Sequence, residues 1–264
     1  MTALLPNSPR QVIVVWFSCG AASAVATKLT IDLYGAYHDI RVVNNPVAEE
    51  DEDNRRFLHD VEKLIGIEIE IATCAKYPNA SAVEVWEREK FMSGPDGAPC
   101  TKFLKKRARQ EWQLRNPVDW HVFGFGAEER GRYEDFILSE LPNVLPVLID
   151  HGITRQGAYN YLLAAGIKPP RSYEMGYPNG NCTGCVKATS PTYWNHVRKM
   201  HPEVFNDRAV QSRRIGAKLV RVKGERIFLD ELDPRARGRS MKSMKIDCGI
   251  FCEEPNAARR ENKP

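Results

Sequence analysis

No stretch of this sequence is long and apolar enough to span a bilayer. The longest apolar run near its start, Val12–Phe17, falls far short of the roughly 20 residues that a crossing helix needs. Nor is there a basic leader followed by a long apolar segment and a small-residue cleavage site, so the chain is expected in the cytoplasm, with no membrane partner. Cysteines are few and odd in number, seven in 264 residues. In a chain without an export signal they do not read as a disulfide framework, and metal or redox use gains weight. Internal repeats are missing. So are the Gly-x-x-x-x-Gly-Lys and Gly-x-Gly-x-x-Gly phosphate loops. A large charge of one sign is missing too: 38 Lys and Arg stand against 34 Asp and Glu, a net of +4.

What is there suits a folded enzyme. With 42% apolar residues over 264 positions the chain can bury a core, as one large α/β domain with an appendage or as two small domains. The charge is unevenly spread. Acid gathers at Glu49–Asp53, while basic residues crowd Lys102–Arg109, Arg213–Arg226 and Arg235–Lys245. Basic clusters of this density attract a nucleotide as readily as a nucleic acid.

Gln11–Phe17 (QVIVVWF) reads as a buried parallel strand, and Val25, Leu29 and Leu33 share one face of the helix that follows. Ile40–Val43 and Ile67–Ile71 are further strands, flanking a helix over Asp51–Ile65 with Phe57, Leu58, Val61, Leu64 and Ile65 inward. Glu84–Phe91 suits a helix, and Ser93–Pro99 must be a loop. A basic helix is predicted over Thr101–Trp112, a strand over Trp120–Phe125, and an extended piece over Pro142–Ile149. The helix Ile153–Ala165 would turn Ala158, Tyr161, Leu162 and Ala165 inward, and Ser190-Pro191 opens another with Ser as N-cap and Pro at N1. Repeated strand–helix alternation predicts a doubly wound, mostly parallel α/β sheet. Residues 1–166 form its nucleotide-binding domain. Residues 167–264 form a helical and loop region with the later cysteines and a basic tail.

Between the first strand and its helix lies Ser18-Cys19-Gly20-Ala21-Ala22-Ser23. Small residues at a helix N-terminus let an anion approach unpaired N–H groups, and Ser18 and Ser23 can add hydroxyl donors. Glu129, Arg130 and Arg132 follow the Trp120–Phe125 strand at the ligand edge, where arginine can clamp phosphate or sulfate; a solvated helix start explains the same residues equally well. Cys182-Thr-Gly-Cys185 sits among glycines and can grip a metal or cluster. With Cys248-Gly-Ile-Phe-Cys252 it could make a Cys₄ site for zinc or iron–sulfur. Cys19 and Cys74 read as structural.

Several segments, taken in order, resemble the phosphoadenosine-phosphosulfate (PAPS) reductase family of the adenine nucleotide alpha hydrolase-like (PP-loop) superfamily. Ser18–Ser23 resembles its Ser-x-Gly-x-x-Ser loop, Val42–Ile69 its second-strand segment, and Pro99–Arg107 its Cys-x-x-x-Lys stretch. Val122–Arg132 resembles its Gly-rich strand end, Pro146–Cys185 its last helical unit, and Asp247–Phe251 its cysteine-bearing tail. The chain departs from that pattern at Ala21-Ala22, where ATP-cleaving relatives have Lys-Asp, and at Phe251 with the extra Cys252.

The resemblance implies an adenine nucleotide alpha hydrolase-like fold with a cysteine-bearing C-terminal extension. It implies an adenine nucleotide (PAPS, APS or ATP) held by Ser18, Gly20, Ser23, Asn44, Gly124, Glu129, Arg130 and Arg132. It also implies a 4Fe–4S cluster, with zinc as the alternative, on Cys100, Cys182, Cys185 and Cys252, and leaves Cys248 as the reactive thiol; the exchange of Cys248 and Cys252 stays open. The activity implied first is reduction of an adenylylated sulfate by a cysteine thiolate, with a thioredoxin-like thiol reductant as partner. The alternatives are an ATP-dependent nucleic-acid sulfurtransferase, of the tRNA thiolation or DNA phosphorothioation type, and a zinc-stapled, non-catalytic nucleic-acid-binding module. Homodimerisation is left open.

Overall fold

The computed structural model describes residues 9–95, 97–180 and 182–244. The chain alternates between two compact units. The first takes the residues up to Pro46, Glu52–Ala72 and Arg109–Pro170; the second takes Val47–Asp51, Thr73–Ala108 and the residues from Arg171 on. The sequence suggested one boundary, near 166. Long-range contacts instead give an early acidic stretch and the segment around Cys100 to the second unit.

The first unit holds β1 (Val12–Phe17), β2 (Asp39–Asn44), β3 (Glu70–Ile71), β4 (Trp120–Val122) and β5 (Val144–Leu145). They form one sheet in the order β3-β2-β1-β4-β5, every neighbouring pair parallel. The central strand is the β-branched run Ile13-Val14-Val15, fully buried because it is covered on both faces. The fold class read from the sequence is the one observed.

The α-helices are, in chain order, α1 (Ala21–Tyr34), α2 (Asp53–Ile65), α3 (Ala82–Glu89), α4 (Ala108–Gln113), α5 (Arg130–Ser139), α6 (Val147–Asp150), α7 (Arg155–Ala164), α8 (Arg171–Glu174), α9 (Pro191–Met200) and α10 (Pro202–Ile215). None of those described is long and apolar enough to cross a membrane. α1 buries Ala21, Ser23, Ala24, Val25 and Ala26, a face of small side chains that packs on β1 and α7. The expected Leu29–Leu33 stripe is not its main contact, and Leu33 is exposed. α2 buries Phe57, Val61 and Ile65 as predicted and ends at Gly66, whose φ of 69° is the left-handed cap glycine favours. In α7, Ala158 and Leu162 face inward, whereas Tyr161 and Ala165 are exposed.

The second unit contains α3, α8, α9, α10 and a hairpin of β6 (Val220–Val222) and β7 (Glu225–Ile227). Lys223 and Gly224 turn it with φ of 48° and 92°, the left-handed pair of a type I′ turn. Its core gathers Tyr77, Trp86, Phe103, Tyr193, Trp194 and Phe205. The helix expected over Thr101–Trp112 is a π-helix over Thr101–Arg107 that passes into α4. Thr101, Phe103, Leu104 and Lys105 are all buried there, and Lys105 Nζ meets Glu50 at 2.9 Å. Single π turns are rare and concentrate where a segment serves a site.

In the first unit, Trp16 Nε1 donates to His121 Nδ1 across β1 and β4 at 3.0 Å. Burial, followed by the neighbouring Arg109 cation, presses His121 down to about 4. The unfolded imidazole titrates near 6.5, so between pH 6.5 and 4 the unfolded chain binds the extra proton. Stability therefore falls as pH drops through that window, by at most about 1.4 kcal/mol per pH unit. Urea midpoints measured from pH 7 to 4 will drop less in His121→Gln than in the parent; equal slopes would contradict the assignment.

Candidate functional site

The strand order reverses between β1 and β4, which places the loops after these two strands at the topological switch point, where parallel sheets hold ligands. The loop after β1 is internally braced. The Ser23 hydroxyl accepts from Ser18 N at 3.1 Å and from Gly20 N at 3.3 Å, and donates to Gly20 O at 2.9 Å. Its role is to hold the turn. Ser18 is exposed at the loop's mouth, and its own hydroxyl lies 3.1 Å from Ser23 Oγ. Cys19 is buried with a φ of 53°, unusual for a residue with a Cβ. Asn44 locks that turn by donating to Phe17 O at 2.7 Å and to Cys19 Sγ at 3.6 Å. Asn44 thus shapes the loop from beneath. A Cβ on Gly124 would lie 2.6 Å from Ser23 N, so the end of β4 runs directly against the start of α1. α1 has no acidic residue in its first turn, so its positive end is left for an anion.

Beyond Gly126 the charges pair among themselves. Glu129 accepts from Arg132 at 2.6 Å, from Arg155 at 2.7 Å and from Gly126 N at 3.1 Å. Burial would raise its carboxyl, but these donors hold it below the ordinary carboxylate range. Arg132 is engaged there, while Arg130 is exposed and makes no ion pair among the described residues.

The second unit holds the cysteines. Cys182 and Cys185 are buried in its apolar core, Cys74 lies in the same core, and half-buried Cys100 packs against it. Three of the four residues expected to hold a cluster therefore reach one core from two distant parts of the chain. The loop bearing the pair is fixed at several points. Thr183 N donates to Glu49 O at 3.0 Å, Cys185 N to the Tyr193 hydroxyl at 2.8 Å, and Trp194 Nε1 to Ala188 O at 2.7 Å. Gly184 takes a φ of 71°, where L side chains are strained. Tyr193 is fully buried, and burial with Cys185 nearby pushes its phenol far above the usual value.

Sequence reasoning missed Arg208, which lies beneath this loop. It is 97% buried, with its guanidinium 4.4 Å above the Trp86 ring and one amine donating to Gln211 Oε1 at 2.7 Å. Its Nε has no hydrogen-bond partner and lies 3.9 Å from where a Cβ on Gly184 would stand. Burial presses this guanidinium below its ordinary range, against the opposing pull of Glu49, Cys182, Tyr193 and Cys100. An orphaned buried donor that feels the charge of Cys182 and Cys100 is what an anionic group could satisfy. The signal in the sequence was an arginine between Phe205 and Ala209, on the apolar face of a helix.

The acidic run is also functional architecture. The Glu49 carboxylate caps α3, accepting from Ser81 Oγ and Ala82 N at 2.7 Å each and from Val83 N at 3.1 Å. Glu50 takes Lys105 from the π-helix, and Asp51 takes Arg171 at 2.8 Å. Among the described residues no group of three or more His, Cys, Asp or Glu side chains is placed to hold a metal. Cys248 and Cys252 lie outside the described residues.

No protein-family model matches the chain, and no curated protein does. Among solved structures it is similar to the U34-tRNA thiolase NcsA from Methanococcus maripaludis with its 4Fe–4S cluster, at a TM-score of 0.50 and 12% identity, over 94% of this chain and 86% of that one. At such identity the likeness is one of fold alone.

Proposed function

We propose that this protein is an ATP-dependent sulfurtransferase acting on a nucleic acid, with Cys100, Cys182 and Cys185 holding a 4Fe–4S cluster. The observation that carries the reading is that Cys182 and Cys185 lie in one apolar core, Cys100 packs against it, and the same unit buries a cation, Arg208, that has an unused donor and feels Cys182 and Cys100. An all-sulfur donor set suits iron–sulfur or zinc rather than a hard cation. The likeness in fold to a tRNA thiolase favours sulfur transfer over reduction of an adenylylated sulfate, and the latter would require Cys248 of the tail.

Each part of the chain has a task in this reading. The loop Ser18–Ser23 takes the phosphates of ATP at the positive end of α1. Ala21 and Ala22 bring no charge, so cations that accompany the triphosphate, such as Mg²⁺, neutralise it. The nucleic-acid oxygen bonds to the α-phosphorus and the α–β bridge breaks to release pyrophosphate; a sulfide-level sulfur from a donor substrate then bonds to the activated atom, and AMP leaves with the oxygen. When bound, the cluster supplies iron able to carry sulfur. Tyr193 and Glu49 keep the cysteine loop in place, and Arg208 offsets negative charge on the thiolates.

Anaerobic purification will give a brown, iron-bearing protein, and Cys182→Ser and Cys185→Ser will each lose most of the iron. A colourless protein holding only zinc would overturn the cluster. With ATP, pyrophosphate release will depend on added tRNA or DNA. Sulfite formation from adenylyl sulfate and a thiol, indifferent to nucleic acid, would return the reductase reading. Removing the buried cation has opposite expected effects in the two states. Arg208→Met leaves the metal-free chain at least as stable, because a buried charge with an unmet donor is replaced by apolar volume. The same change makes the loaded chain release iron faster to a chelator; an unchanged release rate would show that Arg208 does not serve the sulfur site.

A further inference from the structure

The second unit has a cavity of about 280 Å³ that the cysteine chemistry does not use. Its walls come from three places: the segment Lys187–Pro191 leading into α9, the hairpin at Arg221 and Gly224, and the stretch Gly238–Arg239. Each wall brings one cation, Lys187, Arg221 and Arg239, and no carboxylate lines the space among the described residues. Arg221 and Arg239 form no ion pair among the described residues. The volume is at the small end of the roughly 300–1,000 Å³ common for ligand sites.

The hairpin adds a second observation. In the β6–β7 register Arg221 stands directly opposite Arg226. Like charges facing each other across a two-stranded ribbon destabilise it. Such a conflict with local preference is expected where a site needs the charge. The walls are also held firmly. Arg221 N donates to Thr189 O at 2.8 Å, Ser190 Oγ to Arg239 O at 2.8 Å, and Gly238 N to Thr192 Oγ1 at 2.9 Å. A Cβ on Gly238 would strike Pro191 Cδ at 2.6 Å, so only glycine lets these walls meet. The backbone segments that carry Arg221 and Arg239 are therefore fixed before any ligand arrives, which lowers the ordering cost of binding an anion.

The cavity adjoins the sulfur site through the chain itself. Lys187 is two residues after Cys185, so their Cα atoms lie within about 7 Å. α9, whose start walls the cavity, carries the Tyr193 hydroxyl that holds Cys185 N.

We infer that this cavity receives a backbone phosphate of the nucleic-acid substrate and so sets the strand beside the cysteine loop. The inference rests on the sulfurtransferase reading and names the substrate contact for it. A phosphodiester is favoured over free nucleotide because Lys218, Lys223 and Arg237, near Arg221 and Arg239 in the chain, are exposed and form no ion pair among the described residues, whereas Arg213, Arg214 and Arg235 are matched by acids; a strand with successive phosphates can use such further cations.

The test measures binding of labelled tRNA, of a labelled DNA duplex and of ATP to the full chain over a range of salt. Arg221→Gln/Arg239→Gln is expected to weaken nucleic-acid binding about tenfold or more and to lower the salt slope by about 1.4–1.8, two contacts at roughly 0.7–0.9 each. ATP affinity, iron content and melting temperature should hold, and Arg221→Lys/Arg239→Lys should restore most of the binding. If the parent binds tRNA or DNA and the glutamine variant matches it in affinity and slope, this inference fails while the sulfurtransferase reading stands. Loss of ATP binding alone would assign the cavity to the nucleotide and overturn the inference. A parent that binds neither nucleic acid would sink both.

Discussion

A buried cation beneath the cysteine loop constrains everything around it. Arg208 has left water almost completely, yet its partners within the core are an aromatic face, one amide oxygen and the more distant pull of Glu49 and two sulfurs. Desolvating a guanidinium is expensive, and an unsatisfied Nε adds to the cost. A chain that carries such a group gains little stability from it. The arrangement becomes economical when negative charge collects on Cys182 and Cys100, as it does when thiolates ligate a metal. The neighbouring polar contacts serve the same end. Gln211 holds Arg208 and reaches Val83 O and Glu87 on α3, while Glu49 caps α3 and ties Thr183 through its carbonyl. The loop, the helix and the cation are one connected network, so displacement of any member loosens the sulfur pair.

The loop after β1 in the first unit is built on a different principle. It carries no charge of its own, and its shape comes from a serine and an asparagine turned inward. Ser23 closes the turn from within, Asn44 braces Cys19 from the next strand, and Gly124 lets β4 approach α1. Such a loop recognises an anion through backbone dipoles, whose strength does not depend on pH. The charged side chains downstream, Glu129 with Arg132 and Arg155, form a closed set that fixes the following turn.

How much of this was legible depends on the range of the interactions. The sheet was readable because Val12–Phe17 and Trp120–Phe125 are apolar β-branched or aromatic runs, whose pattern survives any packing detail. The Ser190-Pro191 helix start was readable because capping is local. The helix expected over Asp51–Ile65 begins at Asp53, and the acids before it, Glu49, Glu50 and Asp51, each bind a different element of the second unit. Nothing local to the run reveals partners 32 to 134 positions away. Arg208 was hidden for the same reason, and the π-helix at Thr101 departs from the period on which helix prediction relies. The cysteine spacing drew attention to this loop but could not reveal the cation under it.

The placement of charge in the second unit follows a gradient of commitment. Lys105 and Arg171 are matched one to one by acids and serve the fold. Arg208 is half matched, and its spare Nε lies near Gly184 of the cysteine loop. Arg221 and Arg239 are unmatched and face a cavity, and Arg221 even opposes a like charge. Evolution removes idle repulsion cheaply, since exchanging one surface arginine costs about 0.5 kcal/mol or less. Repulsion that persists in a braced pocket two residues from a cysteine pair is best explained by a ligand that relieves it. A polyanion relieves it well, because a single phosphate can meet Arg221 and Arg239 while its neighbours along the strand reach the exposed Lys218, Lys223 and Arg237.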